Sequence, residues 1–203
     1  MDSAPFALVT GNINKIREAE RILGFALESV KIDLPEIQSL DIAEVLEAKV
    51  LEAYRRARRP VVVEETGLTL DAMGGFPGPL IKWMLDAMGP EGVARTGHAL
   101  GDPGASAVCA LAYHDGHRTV TATGVTEGVL LEKPRGEHGF GWDPVFRPLE
   151  SDLSFAELGP DDKDRIGHRG RGWRAFREAL ASSGVLVGTD EQSKEESDSA
   201  RQI

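Results

Sequence analysis

The sequence predicts an α/β fold built on a mixed β-sheet with flanking helices, from two observations. First, the N-terminal part alternates apolar strand patterns with helical patterns, as in the run Phe6–Val9 followed by a helix. The stretch "PVVVEETGL" holds three consecutive valines, which is typical of a strand buried on both faces. Second, two later strand patterns flank Asp115 and Gly116, a strong hairpin signal. Strand–helix units favour parallel pairing and a hairpin requires antiparallel pairing, so the sheet should be mixed.

Composition limits the class of protein. The chain has 203 residues, of which 41% are hydrophobic, enough for one substantial or two-lobed domain. No stretch is long and apolar enough to span a bilayer, and the formal net charge of −10 disfavours nucleic acid and anionic membranes as partners. The N-terminus lacks a secretory pattern and Cys109 is the single cysteine, so we expect a cytoplasmic protein without an intrachain disulfide. We expect residues 1–187 to form the domain and residues 188–203 to form a disordered acidic tail.

The first helix is predicted directly after the first strand. Asn12 or Asn14 can cap it, and Gly24 stops it. Its inward stripe is predicted to be Ile13, Ile16, Ala19 and Leu23.

The second helix is predicted in "SLDIAEVLEAKVLEAYRRARRP". Asp41 and Glu44 have the spacing of a capping box. The apolar stripe is predicted to be Ile42, Val45, Leu46, Val50 and Ala53. Lys49 falls on the same stripe. Its stem could pass the core to reach water, or its ammonium could point into a cleft, and spacing alone favours neither.

Two further helices complete the prediction. A glycine-proline loop over Ala72–Pro79 leads into the helix "LIKWMLDAMG". The last helix should span roughly Gly170–Ala181 and bury Trp173, Phe176 and Leu180.

Three groups of polar residues could carry chemistry. Thr10, Asn12 and Lys15 follow the first strand, where helix N–H groups favour phosphate, although an ordinary capped turn explains them better when they are taken alone. Glu64 and Glu65 should lie at the carboxyl end of the valine strand, where ligands bind in open α/β sheets. Such carboxylates suit Mg²⁺ and can orient an attacking water, but adjacent carboxylates after a strand are often merely solvated.

The third group lies in "DDKDRIGHRGRG". Lys163 could hold a phosphate, and His168 and Arg169 could donate to the edge of a base, while a surface basic patch is the simpler account. No second histidine stands at ligand spacing from His168, which disfavours a role as metal ligand.

The glycine-rich stretch "GEHGFGWDPVFRP", residues 136–148, completes the pattern by placing two rings beside a carboxylate. The strings "TGNINK", "VVVEETGL", "GGFPGPLIKWML", "GFGWDPVF" and "DDKDRIGHR" occur in the order found in the inosine triphosphate pyrophosphatase family, also called Ham1-like. The chain resembles that family of non-standard purine nucleoside triphosphate pyrophosphatases over roughly residues 6–182.

The resemblance implies an elongated mixed sheet flanked by helices, in two lobes with a central active-site cleft, and a homodimer. It implies hydrolysis of ITP, dITP and XTP to the monophosphate and pyrophosphate with Mg²⁺. The implied phosphate-binding residues are Thr10, Asn12, Lys15, Lys49 and Lys163. The implied metal ligands are Glu18, Glu36 and Glu65, and the implied catalytic residues are Glu65 and Lys15. The implied residues of the purine pocket are Phe140, Trp142, Asp143, His168 and Arg169.

This pocket would divide recognition between stacking and hydrogen bonding. A ring stacked on a base contributes about 1–3 kcal/mol for any purine. His168 and Arg169 would donate to the six-position oxygen of hypoxanthine or xanthine, and the amino group of adenine would leave those donors unpaired.

Two residues depart from the family pattern. Glu65 stands where aspartate is usual, and Gly167 stands where serine usually precedes the His-Arg pair. An alternative hypothesis is therefore a nucleotide-binding module with weakened or altered catalysis. A related pyrophosphatase with another base preference is a third hypothesis, which the loop carrying Phe140, Trp142 and Asp143 disfavours.

Overall fold

The computed structural model describes residues 4–186, and a mixed sheet of seven strands runs through them. The strands are β1 (Ala7–Val9), β2 (Glu28–Val30), β3 (Val61–Leu70), β4 (Pro77–Gly78), β5 (Gly104–His114), β6 (Thr119–Leu130) and β7 (Phe146–Pro148). The helices are α1 (Ile13–Leu23), α2 (Ile42–Ala57), α3 (Ile81–Ala99), α4 (Pro160–Ile166) and α5 (His168–Ser182). The predicted acidic tail, residues 188–203, lies outside the described residues. Within residues 4–186, no helix combines the length and apolarity that crossing a lipid bilayer requires.

The strand order confirms the predicted mixed sheet. The order is β2-β1-β3-β5-β6-β7, with β4 paired to β3 away from this path. β1 is parallel to both β2 and β3, whereas every later pairing is antiparallel. The strand–helix units therefore build one side of the sheet and the hairpin builds the other.

The hairpin lies where the sequence predicts it, but its loop is longer than two residues. Pairing of β5 with β6 ends at His114 and Thr119, which leaves residues 115–118 as the loop. The Asp115 carboxylate accepts the backbone N–H groups of His117 and Arg118 at 2.9 and 3.0 Å. Because the Asp115 side chain satisfies these donors, the wider turn is stable.

Helix α1 keeps its predicted ends. The Asn12 side chain accepts the N–H of Asn14 at 3.0 Å, and Gly24 ends the helix with φ of 80°. Ala19 and Leu23 are buried, but the prediction that Ile13 faces inward is wrong, since it is 54% exposed. Ile13 is the first residue of α1, and it is Ala19 and Leu23, further along the helix, that pack into the core.

The start of α2 resembles a capping box, but a third residue, Ser39, takes part in it. The Asp41 carboxylate accepts the N–H of Ala43 at 2.8 Å, as predicted. Glu44 accepts the Ser39 hydroxyl at 2.6 Å, and Ser39 Oγ accepts the Asp41 N–H at 3.1 Å. Glu44 therefore does not bind the Asp41 N–H directly, as in a capping box, but through the Ser39 hydroxyl. The predicted stripe is confirmed, with Val45, Leu46, Val50 and Ala53 buried and Ile42 packed against them.

The position predicted for Glu64 and Glu65 needs correction. They lie in the middle of β3, opposite Leu111 and Ala110 of β5, and not at its carboxyl end. Strand β1 pairs with β3 only as far as Val62, so it is β1 that ends here. The cleft opens where β1 stops and β3 continues.

Three apolar cores flank the sheet. In the part of the sheet that contains β1, one core lies between the sheet and helices α1 and α5. A second core lies on the opposite face, between the sheet and α2. The third packs the far half of β3 against α3 and the segment that follows β6. β3 and β5 contribute to all three cores. This arrangement corresponds to two lobes joined by the long strands.

The last two helices position the C-terminal side of the cleft. Trp173, Phe176 and Leu180 of α5 are fully buried, as predicted. A Cβ at Gly124 of β6 would lie 2.1 Å from the Gly172 nitrogen, so glycine is needed for α5 to approach the sheet this closely. The predicted helix "LIKWMLDAMG" ends at Gly89, whose φ of 67° and ψ of 174° break α3 before Pro90 continues it.

Candidate active site

A cavity of about 790 Å³ opens beside the end of β1. Its walls come from the β1–α1 turn, α2, β3, the start of α3 and the loop that carries Phe140 and Trp142, called the aromatic loop below. Eight of the residues predicted for the site line it: Thr10, Asn12, Lys15, Glu36, Lys49, Glu65, Phe140 and Trp142. Residues far apart in the sequence therefore meet on one surface.

The β1–α1 turn presents backbone and hydroxyl groups to this cavity. The Thr10 N–H donates to the Val30 carbonyl at 3.1 Å, and Thr10 Oγ1 accepts the Asn12 N–H at 3.1 Å. These bonds hold the turn, and α1 begins at the next residue. The N-terminus of a helix attracts anions because its first N–H groups have no partner within the helix.

Lys49 points into the cavity, which resolves the alternatives that spacing left open. Its ammonium lies 2.7 Å from Glu65 of β3 and 3.2 Å from Glu36, which lies in the segment between β2 and α2. Burial lowers the pKa of Lys49, but the charges of Glu65 and Glu36 and their hydrogen bonds outweigh burial, so the pKa lies above its ordinary value. Lys49 therefore remains a cation between two carboxylates.

Glu64 lies on the opposite face of β3 from Glu65, because successive side chains of a strand alternate. Its Oε1 lies 3.0 Å from Arg169 Nε and 3.3 Å from Lys15 Nζ, and its Oε2 accepts the Trp173 indole N–H at 3.1 Å. Burial raises the pKa of Glu64, but the charges of Arg169 and Lys15 and the hydrogen bonds bring it down to about 2. Sequence reasoning paired Glu64 with Glu65 but gave Glu64 no role in the site. Alternation along β3 predicts the opposite faces, whereas the partners come from distant elements.

Of the predicted metal group, Glu36 and Glu65 line the first cavity, whereas Glu18 lines a second one. Glu18 forms ion pairs with Arg169 and, at 3.7 Å, with Lys163. In the part of the chain that the structure describes, no three His, Cys, Asp or Glu side chains are grouped to hold a metal ion. Glu18 of α1 is paired with Lys163 of α4 and Arg169 of α5. Glu36 and Glu65 instead both contact the Lys49 ammonium.

Phe140 lies between the main cavity and a second cavity of about 400 Å³. Lys163 Nζ and the Arg169 guanidinium carbon each lie 5.3 Å from the centroid of its ring. The Asp143 carboxylate accepts both the Phe140 N–H and the Lys163 ammonium at 2.7 Å. Asp143 thus fixes the aromatic loop. Lys163 lines the second cavity beside Phe140, apart from the first cavity that Lys15 and Lys49 line.

His168 is buried between two aromatic rings. Its ring centroid lies 6.2 Å from that of Trp142 and 5.7 Å from that of Phe155. Within residues 4–186, neither ring nitrogen of His168 has a hydrogen-bond partner, and neither does Trp142 Nε1. Burial, together with the charges of Arg169 and Lys163, lowers the pKa of His168 well below its ordinary value, so the ring is neutral.

Arg169 follows His168 at the start of α5. Burial lowers its pKa, but the charges of Glu64 and Glu18 outweigh burial and raise it above its ordinary value. Among the described residues 4–186, those that line the first and second cavities include neither His168 nor Arg169. Their contact with the edge of a purine therefore stays a prediction.

Gly167 joins α4 to α5 without a Cβ. Its N–H donates to the Lys163 carbonyl at 2.8 Å, and a Cβ at this position would lie 2.4 Å from the same oxygen. The glycine therefore permits a tight junction between the helices that carry Lys163 and Arg169. The serine that is usual in the family would not fit this junction unchanged.

The fold and the cleft define a class of protein: an α/β protein with a cleft that can receive a phosphorylated ligand. Cations, helix N–H groups and carboxylates line one end of the cleft, and an aromatic ring lies at the other.

The comparisons with known proteins identify the family, since the Ham1 family pattern matches residues 6–179. The chain is 39% identical over 173 residues to the dITP/XTP pyrophosphatase of Methanopyrus kandleri, covering 83% of this chain and 92% of that one. It is 41% identical over 174 residues to inosine triphosphate pyrophosphatase 2 of Trypanosoma cruzi, covering 84% and 89%. The structure of a HAM1 protein from Coxiella burnetii superposes with a TM-score of 0.75 at 27% identity, covering 90% of this chain and 100% of that one. The chain belongs to the Ham1 family.

Proposed function

We propose that the protein hydrolyses non-standard purine nucleoside triphosphates, namely ITP, dITP and XTP, to the monophosphate and pyrophosphate. The observation that carries the proposal is that one cavity is lined both by charged residues and by an aromatic ring. The charged residues are Lys15, Lys49, Glu36 and Glu65, and the ring is that of Phe140. The names of the relatives, dITP/XTP pyrophosphatase and inosine triphosphate pyrophosphatase, support this chemistry.

The phosphates would lie over the β1–α1 turn. The first N–H groups of α1 and the Lys15 ammonium would bind the oxygens, and Lys49 would approach from the opposite wall. Each cation is now held by a carboxylate, Lys15 by Glu64 and Lys49 by Glu65. These pairs keep the ammonium groups in place before the anion arrives.

The residues present fit a magnesium ion. Glu65 of β3 and Glu36 of the segment between β2 and α2 contact the same Lys49 ammonium, so their oxygens already converge at the cavity wall. Mg²⁺ is commonly held by one or two carboxylates, with substrate phosphates and waters as the remaining ligands. Glu36 and Glu65 would hold it, and the ion would supply positive charge to the phosphate oxygens. Glu65 would also orient the water that attacks the phosphoanhydride bond.

The purine would stack on Phe140, which separates the two cavities. Stacking accepts every purine, so selection for a six-position oxygen requires hydrogen-bond donors. Neutral His168 carries one N–H donor, and Arg169 is held by Glu18 and Glu64 next to the Phe140 ring. The buried nitrogens of His168 and Trp142 that lack partners support recognition at this end.

A substrate panel tests the proposal. The purified protein is mixed with Mg²⁺ and with ITP, dITP, XTP, ATP or GTP in turn, and both pyrophosphate and phosphate are assayed. We expect pyrophosphate from the first three, with kcat/KM roughly a hundredfold above that for ATP, in the range that one rejected hydrogen-bonding group can produce. Equal turnover of ITP and ATP, no turnover of ITP, or release of single phosphates would refute it.

We also propose a cytoplasmic homodimer. The family resemblance supports the dimer, and the proposed substrates belong to the nucleotide pool inside the cell. Sedimentation of the purified chain tests the first part, and fractionation of cells tests the second. A monomer at micromolar concentration would contradict the dimer.

A further inference from the structure

Six side chains form one line of alternating charge from the aromatic loop to the phosphate end of the cleft. Each neighbouring pair is within salt-bridge distance, in the order Asp143, Lys163, Glu18, Arg169, Glu64 and Lys15. Three are anions and three are cations, so the line is neutral overall. It connects residues beside Phe140 with a residue of the first cavity.

Glu64 is the most buried side chain of this line. Its side chain is 1% exposed, and both of its carboxylate oxygens are engaged. Oε1 is shared between Lys15 and Arg169, while Oε2 is fixed by the Trp173 indole. A rotation that brought Oε1 closer to one cation would break the bond to the indole.

The two cations on Glu64 belong to different ends of the cleft. Lys15 comes from α1 and lines the cavity of the proposed phosphates, whereas Arg169 comes from α5 and lies next to the Phe140 ring. Without Glu64, two positive groups would face each other in a buried space, and each would move away from the other. One carboxylate therefore sets the distance between them.

We infer that Glu64 is a positioning residue that fixes Lys15 and Arg169 relative to each other, so that a nucleotide must match the phosphate end and the base end of the cleft at once. This inference rests on the proposed function and gives Glu64, a buried residue at the wall of the first cavity, a role that acts through its two cations. Glu65, its neighbour on the other face of β3, keeps the separate role proposed above.

The test uses Glu64→Gln, with Glu52→Gln as the matched control. Glu52 of α2 also pairs with two cations, Arg55 and Arg56, but it lines neither cavity. With ITP, we expect Glu64→Gln to lower kcat by about 100-fold, which is the cost of a small misplacement in an active site. We expect KM not to rise, because the substitution removes a negative charge near the triphosphate. The ITP/ATP ratio of kcat/KM should fall by about tenfold, and Glu52→Gln should leave all three quantities within about twofold of wild type.

A second variant covers the case in which Glu64→Gln does not fold. Trp173→Phe removes the indole N–H but keeps every charge of the line, so the carboxylate loses its fixed orientation. We expect a smaller fall in kcat and in the ITP/ATP ratio, about three- to tenfold, in a protein that remains folded by circular dichroism. If the folded variants keep the wild-type ITP/ATP ratio and kcat, the inference is overturned.

Binding of inorganic tripolyphosphate separates this inference from the proposed function. Calorimetry on wild type, Lys15→Ala, Glu64→Gln and the double variant gives the coupling of the two residues without any turnover. We expect the loss of affinity caused by Lys15→Ala to differ by at least about threefold between the wild-type and Glu64→Gln backgrounds. Additive effects overturn the positioning role, whereas failure of the wild type to hydrolyse ITP refutes only the proposed function.

Discussion

The ammonium of Lys49 lies 2.7 Å from a carboxylate oxygen of Glu65, and this pair joins α2 to the middle of β3. A cation proposed to bind phosphate is thus paired with the carboxylate proposed to bind the metal. The pair keeps the Lys49 ammonium charged, since the attraction of the carboxylates more than compensates for the burial of Lys49.

Replacing Lys49 by methionine tests the cation of this pair. We expect kcat/KM for ITP to fall by about tenfold or more, chiefly through KM, because a charged hydrogen bond to a phosphate oxygen is lost. Steady-state kinetics measure it. Arg55→Met on the same helix is the control, because Arg55 pairs with Glu52 at the surface. A loss of the same size in the control would remove the argument.

Replacing Glu65 tests the carboxylate. Glu65→Gln should lower kcat by about 100-fold or more, since a group that orients or deprotonates the attacking water loses its charge. Glu65→Asp should stay within about threefold of wild type, because Lys49 already places the longer side chain. A large gain in the aspartate variant would instead favour the module with weakened catalysis. Wild-type rates in Glu65→Gln would exclude Glu65 from the reaction.

Replacing Phe140 by alanine tests the stacking platform. We expect KM for ITP and for ATP to rise by a similar factor, about 5- to 150-fold for the 1–3 kcal/mol of one stacked base. The ITP/ATP ratio should change little, because a ring accepts every purine. Leu149→Ala, an exposed apolar residue outside both cavities, is the control. A rise confined to ITP would show that Phe140 also discriminates.

His168 predicts a pH dependence of stability. Its folded pKa lies below the ordinary 6.5, so the unfolded chain binds the proton more readily. The contribution of neutral His168 is therefore complete above about pH 6.5 and is lost as the pH falls below that value, by up to about 1.4 kcal/mol per pH unit. Urea titrations between pH 7 and pH 5 should show a smaller slope for His168→Phe than for wild type.

Much of the fold could be predicted because its signals are local. The Asn12 cap and the Gly24 stop of α1, the Asp41 cap of α2 and the position of the hairpin depend on residues within a few positions of each other. Apolar periodicity then identified the buried faces of α2 and α5. The error at Ile13 arose because periodicity assigns a face to every turn of a helix and does not show which turns are covered by the rest of the fold.

The site was predictable only in part. The resemblance indicated Thr10, Asn12, Lys15, Lys49, Glu36, Glu65 and Phe140, which do line one cavity. It did not indicate that Glu18 pairs with Arg169, 151 positions along the chain, or that Glu64 accepts Trp173, 109 positions along it. These contacts require that α1 and α5 pack on the same face of the sheet.

The sequence by itself determined the main helices and strands, the caps of α1 and α2, the mixed sheet and the residue types available for chemistry, because these follow from neighbours along the chain. The tertiary structure decided which carboxylate neutralises which cation. Charges act through space and according to burial, so partners depend on packing between distant elements. On β3, a step of one residue sends Glu64 to Lys15 and Arg169, and Glu65 to Lys49.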